Sequence, residues 1–230
     1  MKDLADSLAT LGYATLRYDK RGKVYGARTA ELSKETTYQT EVVDDALCAL
    51  RWLYNQPEVD TTRIFVLGHS LSASLLPLIV SQSSVPLAGY IALAAPSQKL
   101  QKTLRRQLRY LQQCGQLTVA QKKQTEQQLI SSVPSEYWKF DQAYNPVKMH
   151  RNLSLPMLYI QGSADYQVLP ADLEAYRKKP APHARYKILP AVNHLMGTNQ
   201  QGTLAVPGDY IQRQIISPLV LEEIRLFLQP

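Results

Sequence analysis

Short apolar runs of strand length alternate with longer helical patterns along this chain, and this alternation limits the folds that it can adopt. Three runs are typical of buried strands: residues 63–67 (RIFVL), 87–94 (LAGYIALA) and 156–161 (PMLYIQ). Between them, apolar residues recur at helical spacing, for example over 42–53. Strands that alternate with helices favour a mostly parallel sheet with helices on both faces, so the sequence predicts an α/β fold.

The remaining elements continue the same pattern towards both ends of the chain. Leu4, Leu8 and Leu11 share one face of a first helix that Gly12 ends, and residues 13–18 (YATLRY) predict a short strand after it. Further predicted elements are a helix over 71–80 that contains Pro77, a helix over 171–177, a strand over 184–189 and a last helix over about 219–228.

The stretch 97–151 interrupts this alternation and is rich in glutamine and in basic residues. It has ten Lys or Arg residues against three Asp or Glu residues, whereas the rest of the chain has sixteen of each, so it accounts for the formal charge of +7. The sequence predicts a helical cap here, inserted into a core formed by 1–96 and 152–230. A solvated face explains its charge better than a site for nucleic acid, a membrane surface or an anionic substrate, because the cations are mixed with glutamine rather than aromatic residues.

No apolar run approaches the roughly 20 residues that cross a bilayer, so no membrane span is expected. The start, MKDLADSLATLGY, lacks the continuous apolar segment of a signal peptide. As the chain stands, this indicates a cytoplasmic protein, and a secreted protein is the alternative if an N-terminal segment is missing. Cys48 and Cys114 have neither metal-ligand spacing nor a disulfide framework.

The segment GHSLS (68–72) directly follows an apolar run and precedes a helical pattern. A strand that turns sharply into a helix exposes the side chain at the turn if its neighbours are small, as Gly68 and Ser72 are. Ser70 would then lie at a helix N-terminus, where backbone N–H groups favour a developing oxyanion. An ordinary helix N-cap explains the same serine without any chemistry.

A serine hydroxyl is a weak nucleophile, so it needs a base within hydrogen-bond reach. Of the four histidines, His194 follows the last predicted strand and therefore shares the sheet edge of Ser70. His150 and His183 precede their strands, which places them at the opposite edge. His69 lies inside the turn, and we interpret it as a buried structural ring.

The base in turn needs a group that orients it, and Asp165 in the segment GSADYQV follows the predicted strand PMLYIQ. An Asp beside Gly and Ser is by itself an ordinary turn former. Together, however, Ser70, Asp165 and His194 all follow strands, in this order. The sequence therefore predicts that the three side chains meet at one edge of the sheet.

At these residues the chain resembles the α/β-hydrolase superfamily, and more closely bacterial carboxylesterases of the dienelactone-hydrolase-like type. The likeness is carried by LRYDKRGKVYG, EVVDDALCAL, RIFVLGHSLS, YIALAAP, QLRYL, the pair Tyr137 and Trp138, MLYIQGSADYQV and VNHL. The resemblance implies that Ser70 is the nucleophile, His194 the base and later the acid, and Asp165 the orienting carboxylate. It also implies that the Leu71 amide is one oxyanion donor.

The resemblance implies hydrolysis of a small carboxylic ester through an acyl-enzyme, with no metal or organic cofactor and no nucleic-acid partner. A serine peptidase or thioesterase on the same triad is the alternative within the enzymes, and a non-catalytic remnant of the fold is the alternative outside them. Tyr137, Trp138 and Tyr166 would contact the substrate if the cap covers the acyl pocket. Aromatic packing between cap and core is the simpler explanation for them.

The chain departs from the family pattern in two places. Ser72 stands where the family usually has glycine. The family's first three strands, and the loop that donates the second oxyanion N–H, would precede Lys2. Either the chain is part of a longer protein, or the strands that flank the gap pair directly, or a second chain completes the sheet. Because loss of one oxyanion donor costs roughly 10²–10³ in rate, we expect this chain to be weakly active or inactive.

Overall fold

The computed structural model describes residues 2–25, 37–199, 203–211 and 213–229. Four parallel strands form one sheet in chain order: β1 (Phe65–His69), β2 (Gly89–Leu93), β3 (Met157–Gly162) and β4 (Ala184–Leu189). In register, Leu67 lies beside Ile91, Ile91 beside Leu158, and Leu158 beside Arg185. The predicted α/β architecture with a mostly parallel sheet is confirmed.

Helices precede, connect and follow these strands. They are α1 (Lys2–Thr10), α2 (Arg21–Tyr25), α3 (Asp44–Tyr54), α4 (Leu71–Gln82), α5 (Leu100–Gln113), α6 (Val119–Ser132), α7 (Ser135–Ala143), α8 (Pro146–His150), α9 (Pro170–Arg177) and α10 (Pro218–Leu228). A π-helical turn, Gln39–Val43, leads into α3, and a 3-10 helix covers Pro207–Tyr210. Helices α5 to α8 lie between β2 and β3, within the stretch for which the sequence predicts a cap. Over the described ranges, we find no helix with the length and apolar character that a membrane crossing requires.

Apolar layers cover both faces of the sheet. Tyr90 and Tyr159 point into the layer that contains residues of α4, such as Leu76. Their strand neighbours Ile91 and Ile160 point into the opposite layer, which contains residues of α1 and α10. Burial on both faces explains why β2 and β3 are continuous apolar runs rather than alternating ones.

The strand that the sequence predicts over 13–18 does not form, so this prediction is wrong. The segment is without strand structure, and Leu16 and Tyr18 are 40% and 48% exposed. An extended segment becomes a strand only when a neighbour pairs with its backbone N–H and C=O groups. Among the described residues β1 pairs with β2 alone, so direct pairing of 13–18 with β1 is not what completes the sheet.

Strand β1 therefore forms an edge of the sheet. The Ser70 amide donates to the Leu93 carbonyl at 2.8 Å, and strand alternation then turns the amides of Leu67 and His69 away from β2. The side chains of Phe65, Val66 and Leu67 are partly buried, whereas every residue of β3 is buried. This edge presents apolar surface and backbone groups that have no strand partner within the described ranges.

Candidate active site

Ser70 occupies a strained turn between β1 and α4. Its backbone has φ 56° and ψ −125°, a conformation that non-glycine residues adopt at a cost of about 1–3 kcal/mol and that persists only where the surroundings impose it. Within the described residues, the Ser70 side chain makes no cap hydrogen bond to α4. The helix-cap explanation of this serine therefore fails, and its hydroxyl remains available at the turn.

Glycine at position 68 lets the strand and the following helix approach closely. A Cβ atom there would lie 2.8 Å from the carbonyl carbon and oxygen of Ser72 and 2.9 Å from the Cα of Ala73. These are backbone atoms and cannot rotate away. The close approach exists although Ser72 replaces the glycine of the family pattern, so the hydroxymethyl group is accommodated.

The Leu71 amide lies at the first position of α4. The Ser70 carbonyl accepts from the amides of Ala73 and Ser74 at 2.9 and 3.2 Å, which starts the helix. The Leu71 amide itself has no acceptor among the described residues. Leu71 also lines the same cavity as Ser70. An unpaired amide at a helix N-terminus, next to the serine, supports the prediction that Leu71 is an oxyanion donor.

Asp165 and His194, which follow β3 and β4, form a buried pair. His194 Nδ1 donates to Asp165 Oδ2 at 2.8 Å, and the two residues are 5% and 0% exposed. Asp165 Oδ2 also accepts from Gln161 Nε2 at 3.1 Å, and Oδ1 accepts from the amides of Gln167 and Val168 at 2.8 and 3.0 Å. Because the carboxylate binds the proton on Nδ1, the Nε2 atom of His194 is left with a free lone pair.

His69 connects the serine turn to this pair. Its Nε2 atom donates to the His194 carbonyl oxygen at 2.7 Å, and the two ring centroids are 4.7 Å apart. Burial, followed by the nearby His194 ring, lowers the pKa of His69 to about 4, so the ring is neutral at pH 7. The ring is partly rather than fully buried, and its role is structural as predicted, since it holds the backbone of the predicted base.

Ser70 thus directly follows His69, the residue whose ring contacts His194. In the part of the chain that the structure describes, no hydrogen bond joins Ser70 Oγ to His194. Catalytic hydrogen bonds are often long in unliganded enzymes and shorten when the substrate binds. The structure therefore brings Asp165 and His194 into contact and Ser70 beside them, while the last hydrogen bond is not formed.

A small cavity of about 70 Å³ opens beside the serine. Its lining includes Ser70, Leu71, Tyr38, Thr103 and Asp141. The Tyr38 hydroxyl donates to Asp141 Oδ1 at 2.8 Å. Sequence reasoning missed all three, because each lies in a segment without a motif. The threonine and the aspartate reach the cavity through the packing of α5 and α7, and the tyrosine precedes the π-helical turn.

None of the three predicted substrate contacts lines the cavity beside Ser70. Tyr137 packs edge-on against Tyr38, with ring centroids 4.4 Å apart. The Trp138 indole Nε1 donates to a backbone carbonyl in α6 at 3.2 Å. Neither residue lines the cavity beside Ser70. Tyr137 makes the aromatic packing that was the simpler explanation, whereas Trp138 is bonded to the neighbouring inserted helix.

Tyr166, the third, is stacked between two other tyrosines. Its ring centroid lies 5.1 Å from that of Tyr110 in α5 and 6.2 Å from that of Tyr210 in the 3-10 helix. It does not line the cavity beside Ser70 either. This three-tyrosine stack joins α5 to the loop that contains Asp165.

The other two histidines lie at the opposite edge of the sheet, as predicted. His150 ends α8 and is fully buried, its Nδ1 atom donates to the Val147 carbonyl at 2.8 Å, and burial lowers its pKa. His183 precedes β4, and its carbonyl accepts from the Met157 amide. Neither can reach Ser70.

Part of the positive charge between β2 and β3 is structural. Lys99 Nζ donates to three backbone carbonyls at the C-terminal end of α7, at 2.6–2.8 Å. Arg106 in α5 donates to Asp172 at 2.7 Å, and the Asp172 side chain is fully buried. Asp172 also accepts from the amide and hydroxyl of Ser97. These cations hold the inserted helices in place and are not free for an anionic partner.

The chain is similar to an esterase by sequence. Esterase EstD of Thermotoga maritima is 31% identical over 236 residues, which cover 97% of this chain and 55% of the relative. The chain therefore spans about half the length of this curated relative.

Solved structures and a family model give the fold and the family. An esterase of Pyrococcus furiosus matches with a TM-score of 0.63 at 17% identity, over 99% of this chain and 74% of the other. Est1E of Butyrivibrio proteoclasticus, with ferulic acid bound, matches with a TM-score of 0.64 at 15% identity, over 99% and 80%. These likenesses confirm the predicted α/β-hydrolase fold. Because the model of the prolyl oligopeptidase family matches residues 3–207, the chain belongs to that family.

Proposed function

We propose that this chain hydrolyses small carboxylic esters through Ser70, with His194 as the base and Asp165 as the group that orients it. The observation that carries the proposal is the strained Ser70 turn beside the buried Asp165–His194 pair. The likeness to esterase EstD favours an ester as the substrate.

Acylation follows from the positions of these groups. Ser70 Oγ attacks the ester carbonyl carbon and gives its proton to His194 Nε2, while the carbonyl π electrons move to oxygen. The Leu71 amide donates to this oxyanion. When the oxyanion collapses, the bond to the alcohol breaks, and the alcohol leaves with the proton from His194. The acyl group is then covalently bound to Ser70.

Deacylation repeats these steps with water. Water attacks the acyl carbon and gives a proton to His194, and the second oxyanion collapses to release the free acid. Ser70 Oγ takes the proton back. In both steps Asp165 stays ionised and stabilises the positive imidazole ring. Its four hydrogen-bond donors hold the carboxylate in place.

The nature of Ser70 can be tested directly with a fluorophosphonate probe, which reacts only with an activated serine. We expect labelling of the purified chain at Ser70, loss of labelling in Ser70→Ala, and retention in Ser72→Ala, which removes the other hydroxyl of the same turn. Hydrolysis of a short-chain aryl ester should be weak, as expected when one oxyanion donor is missing, and should follow the same pattern. Labelling that survives in Ser70→Ala would refute the proposal, and a chain that is never labelled would be a non-catalytic remnant.

A serine peptidase is the second candidate, and the prolyl oligopeptidase family model favours it. An ester and an anilide with the same acyl group separate the two activities, because they differ only in the leaving group. We expect the ester to react and the anilide to remain. Comparable hydrolysis of the anilide would assign a peptidase to the same residues.

We further propose that a strand from outside the described residues, from the same protein or from a second chain, covers the free edge of β1. The outward amides of Leu67 and His69 and the partly buried side chains beside them support this. Such a strand could also bring the second oxyanion donor. Light scattering on the purified chain tests the second-chain form, since it requires a dimer with higher activity than the monomer. A monomer of this chain with full activity would contradict both forms of the proposal that a strand covers β1.

A further inference from the structure

Thr103 has a buried hydroxyl group with no partner. The residue lies in α5 and is 4% exposed, and its Oγ1 atom has no hydrogen bond within the described residues. A buried polar group without a partner costs about 1–3 kcal/mol, so such groups need an explanation. Thr103 lines the same cavity as Ser70 and Leu71. The residue that carries this unused hydroxyl is therefore part of the cavity wall next to the proposed nucleophile. Because the Oγ1 atom is itself enclosed, a bound molecule reaches it by rotation about the Cα–Cβ bond, between the two rotamers that threonine adopts in helices.

Two other polar side chains of the lining, Asp141 and Ser74, have hydrogen-bond partners within the protein. Asp141 accepts from the Tyr38 hydroxyl at 2.8 Å and from the Leu100 amide at 3.0 Å. The Ser74 hydroxyl donates to the Leu71 carbonyl at 2.8 Å. These groups already have protein partners. The hydroxyl of Thr103 is the group that a bound molecule could satisfy.

The position of the base indicates which part of an ester enters the cavity. His194 must protonate the leaving alcohol, and His194 is not part of the cavity lining. The alcohol therefore lies on the His194 side of Ser70, and the acyl chain points into the cavity. The volume of about 70 Å³ is roughly half that of the ~150 Å³ cavity that holds benzene. This space accepts a short acyl chain.

We propose that Thr103 determines specificity by forming a hydrogen bond with a polar substituent, such as a hydroxyl group, on a short acyl chain. The preferred substrates are then esters of short hydroxy acids rather than of plain alkanoic acids. This inference rests on the proposed role of Ser70. A site built to bind a substrate hydroxyl rejects an analogue that lacks it, because the protein group is then left unpaired.

Competition between two matched esters tests the proposal. Equal amounts of 4-nitrophenyl butyrate and 4-nitrophenyl 3-hydroxybutyrate are mixed with the full chain, and intact mass spectrometry gives the ratio of the two acyl-enzymes. We expect the hydroxybutyryl form to dominate by about tenfold. Thr103→Val, which keeps the shape and removes the hydroxyl, should abolish the preference and leave acylation by butyrate intact. Thr103→Ser should restore the preference.

Thr10→Val is the matched control. Thr10 ends α1 and is exposed, and its hydroxyl donates to the Ser7 carbonyl at 2.7 Å, far from the cavity. This variant should keep the preference, and thermal melting checks that each variant is folded. Equal reaction of the two esters with the natural chain, or an unchanged preference in Thr103→Val, would overturn the proposal.

Binding of the two free acids gives a measurement that needs no catalysis. In Ser70→Ala, NMR titration should show 3-hydroxybutyrate binding about tenfold more tightly than butyrate, and addition of Thr103→Val should remove the difference. Equal binding overturns the role of Thr103 whether or not the chain is active. If the chain is not labelled by the fluorophosphonate but still binds 3-hydroxybutyrate selectively, the proposed function is overturned and the role of Thr103 in binding is not.

Discussion

The two halves of the site differ in how firmly the sheet holds them. Asp165 and His194 follow strands β3 and β4, and Asp165 accepts four hydrogen bonds. Ser70 follows β1, whose other side is unpaired in the described part of the chain. The difference shows that the described residues hold the Asp165–His194 pair from several sides, whereas Ser70 follows a strand that is paired on one side only.

The largest expected effect is the loss of kcat on substitution of Asp165, which belongs to the firmly held half of the site. Asp165→Asn keeps the shape and removes the charge, and the amide favours the wrong histidine tautomer, so we expect kcat to fall about 10³–10⁴-fold. The rates of ester hydrolysis and of fluorophosphonate labelling measure this. Asp172→Asn is the control, since Asp172 is an equally buried acid outside the site. It should lower stability with little change in kcat, and similar losses in both variants would contradict the assignment.

A second comparison uses one glycine from each half. A Cβ on Gly162 would overlap the carbonyl oxygen of Val192, and a Cβ on Gly68 would lie 2.8 Å from that of Ser72. Each substitution must displace backbone, so we expect Gly162→Ala to lose about 3 kcal/mol and Gly68→Ala about 2 kcal/mol of unfolding free energy. Urea unfolding measures both. Gly208→Ala, where a Cβ meets open space, should stay within about 0.5 kcal/mol, and equal losses in all three variants would refute the packing described.

The pH dependence of stability tests His69, which links the Ser70 turn to the Asp165–His194 pair. The pKa of His69 is lowered from 6.5 to about 4 by burial, so its neutral form stabilises the fold above pH 6.5, and this stabilisation is lost as the pH falls towards 4. We expect a loss of roughly 2 kcal/mol, because the ring keeps some exposure. Urea unfolding at both ends of this window should show a smaller loss in His69→Gln. The exposed His183→Gln is the control, and a loss unchanged in His69→Gln would contradict the prediction.

The smallest expected effect concerns amide hydrogen exchange at the outer edge of β1. The Leu67 amide points away from β2, whereas β3 has a paired strand on each side, so the Leu67 amide should exchange hydrogen faster than that of Ile160. Exchange measured by NMR on the monomer gives the two rates. Equal protection of both amides would show that the edge is covered in solution.

Sequence patterns located the sheet and the contact between Asp165 and His194. The runs that became β1 to β4 were placed within one or two residues, because burial on one or both faces leaves a clear apolar signature. The segment 13–18 failed because a strand also requires a neighbour, which local sequence does not report. Asp165 and His194 were found because parallel strands end at one edge, a rule that needs no knowledge of packing.

Other features of the site depended on contacts that local patterns do not contain. Gln161 supports Asp165 from within a buried strand, where a polar residue was read only as part of an apolar run. His69 was interpreted as a structural ring, yet local patterns could not show its bond to the His194 carbonyl, which spans 125 residues. Thr103 lies in a glutamine-rich helix whose rotation relative to the sheet decides what it faces.

The three-tyrosine stack also has a mechanical consequence. Tyr166 adjoins Asp165, and its ring is held against Tyr110 of α5. Any outward swing of α5 must therefore separate these rings, at a cost of about 0.5–1.5 kcal/mol for an aromatic pair. Outward movement of α5 would then also disturb the loop that contains Asp165. Under the proposed function, release of the product and restoration of the base would occur on the same timescale.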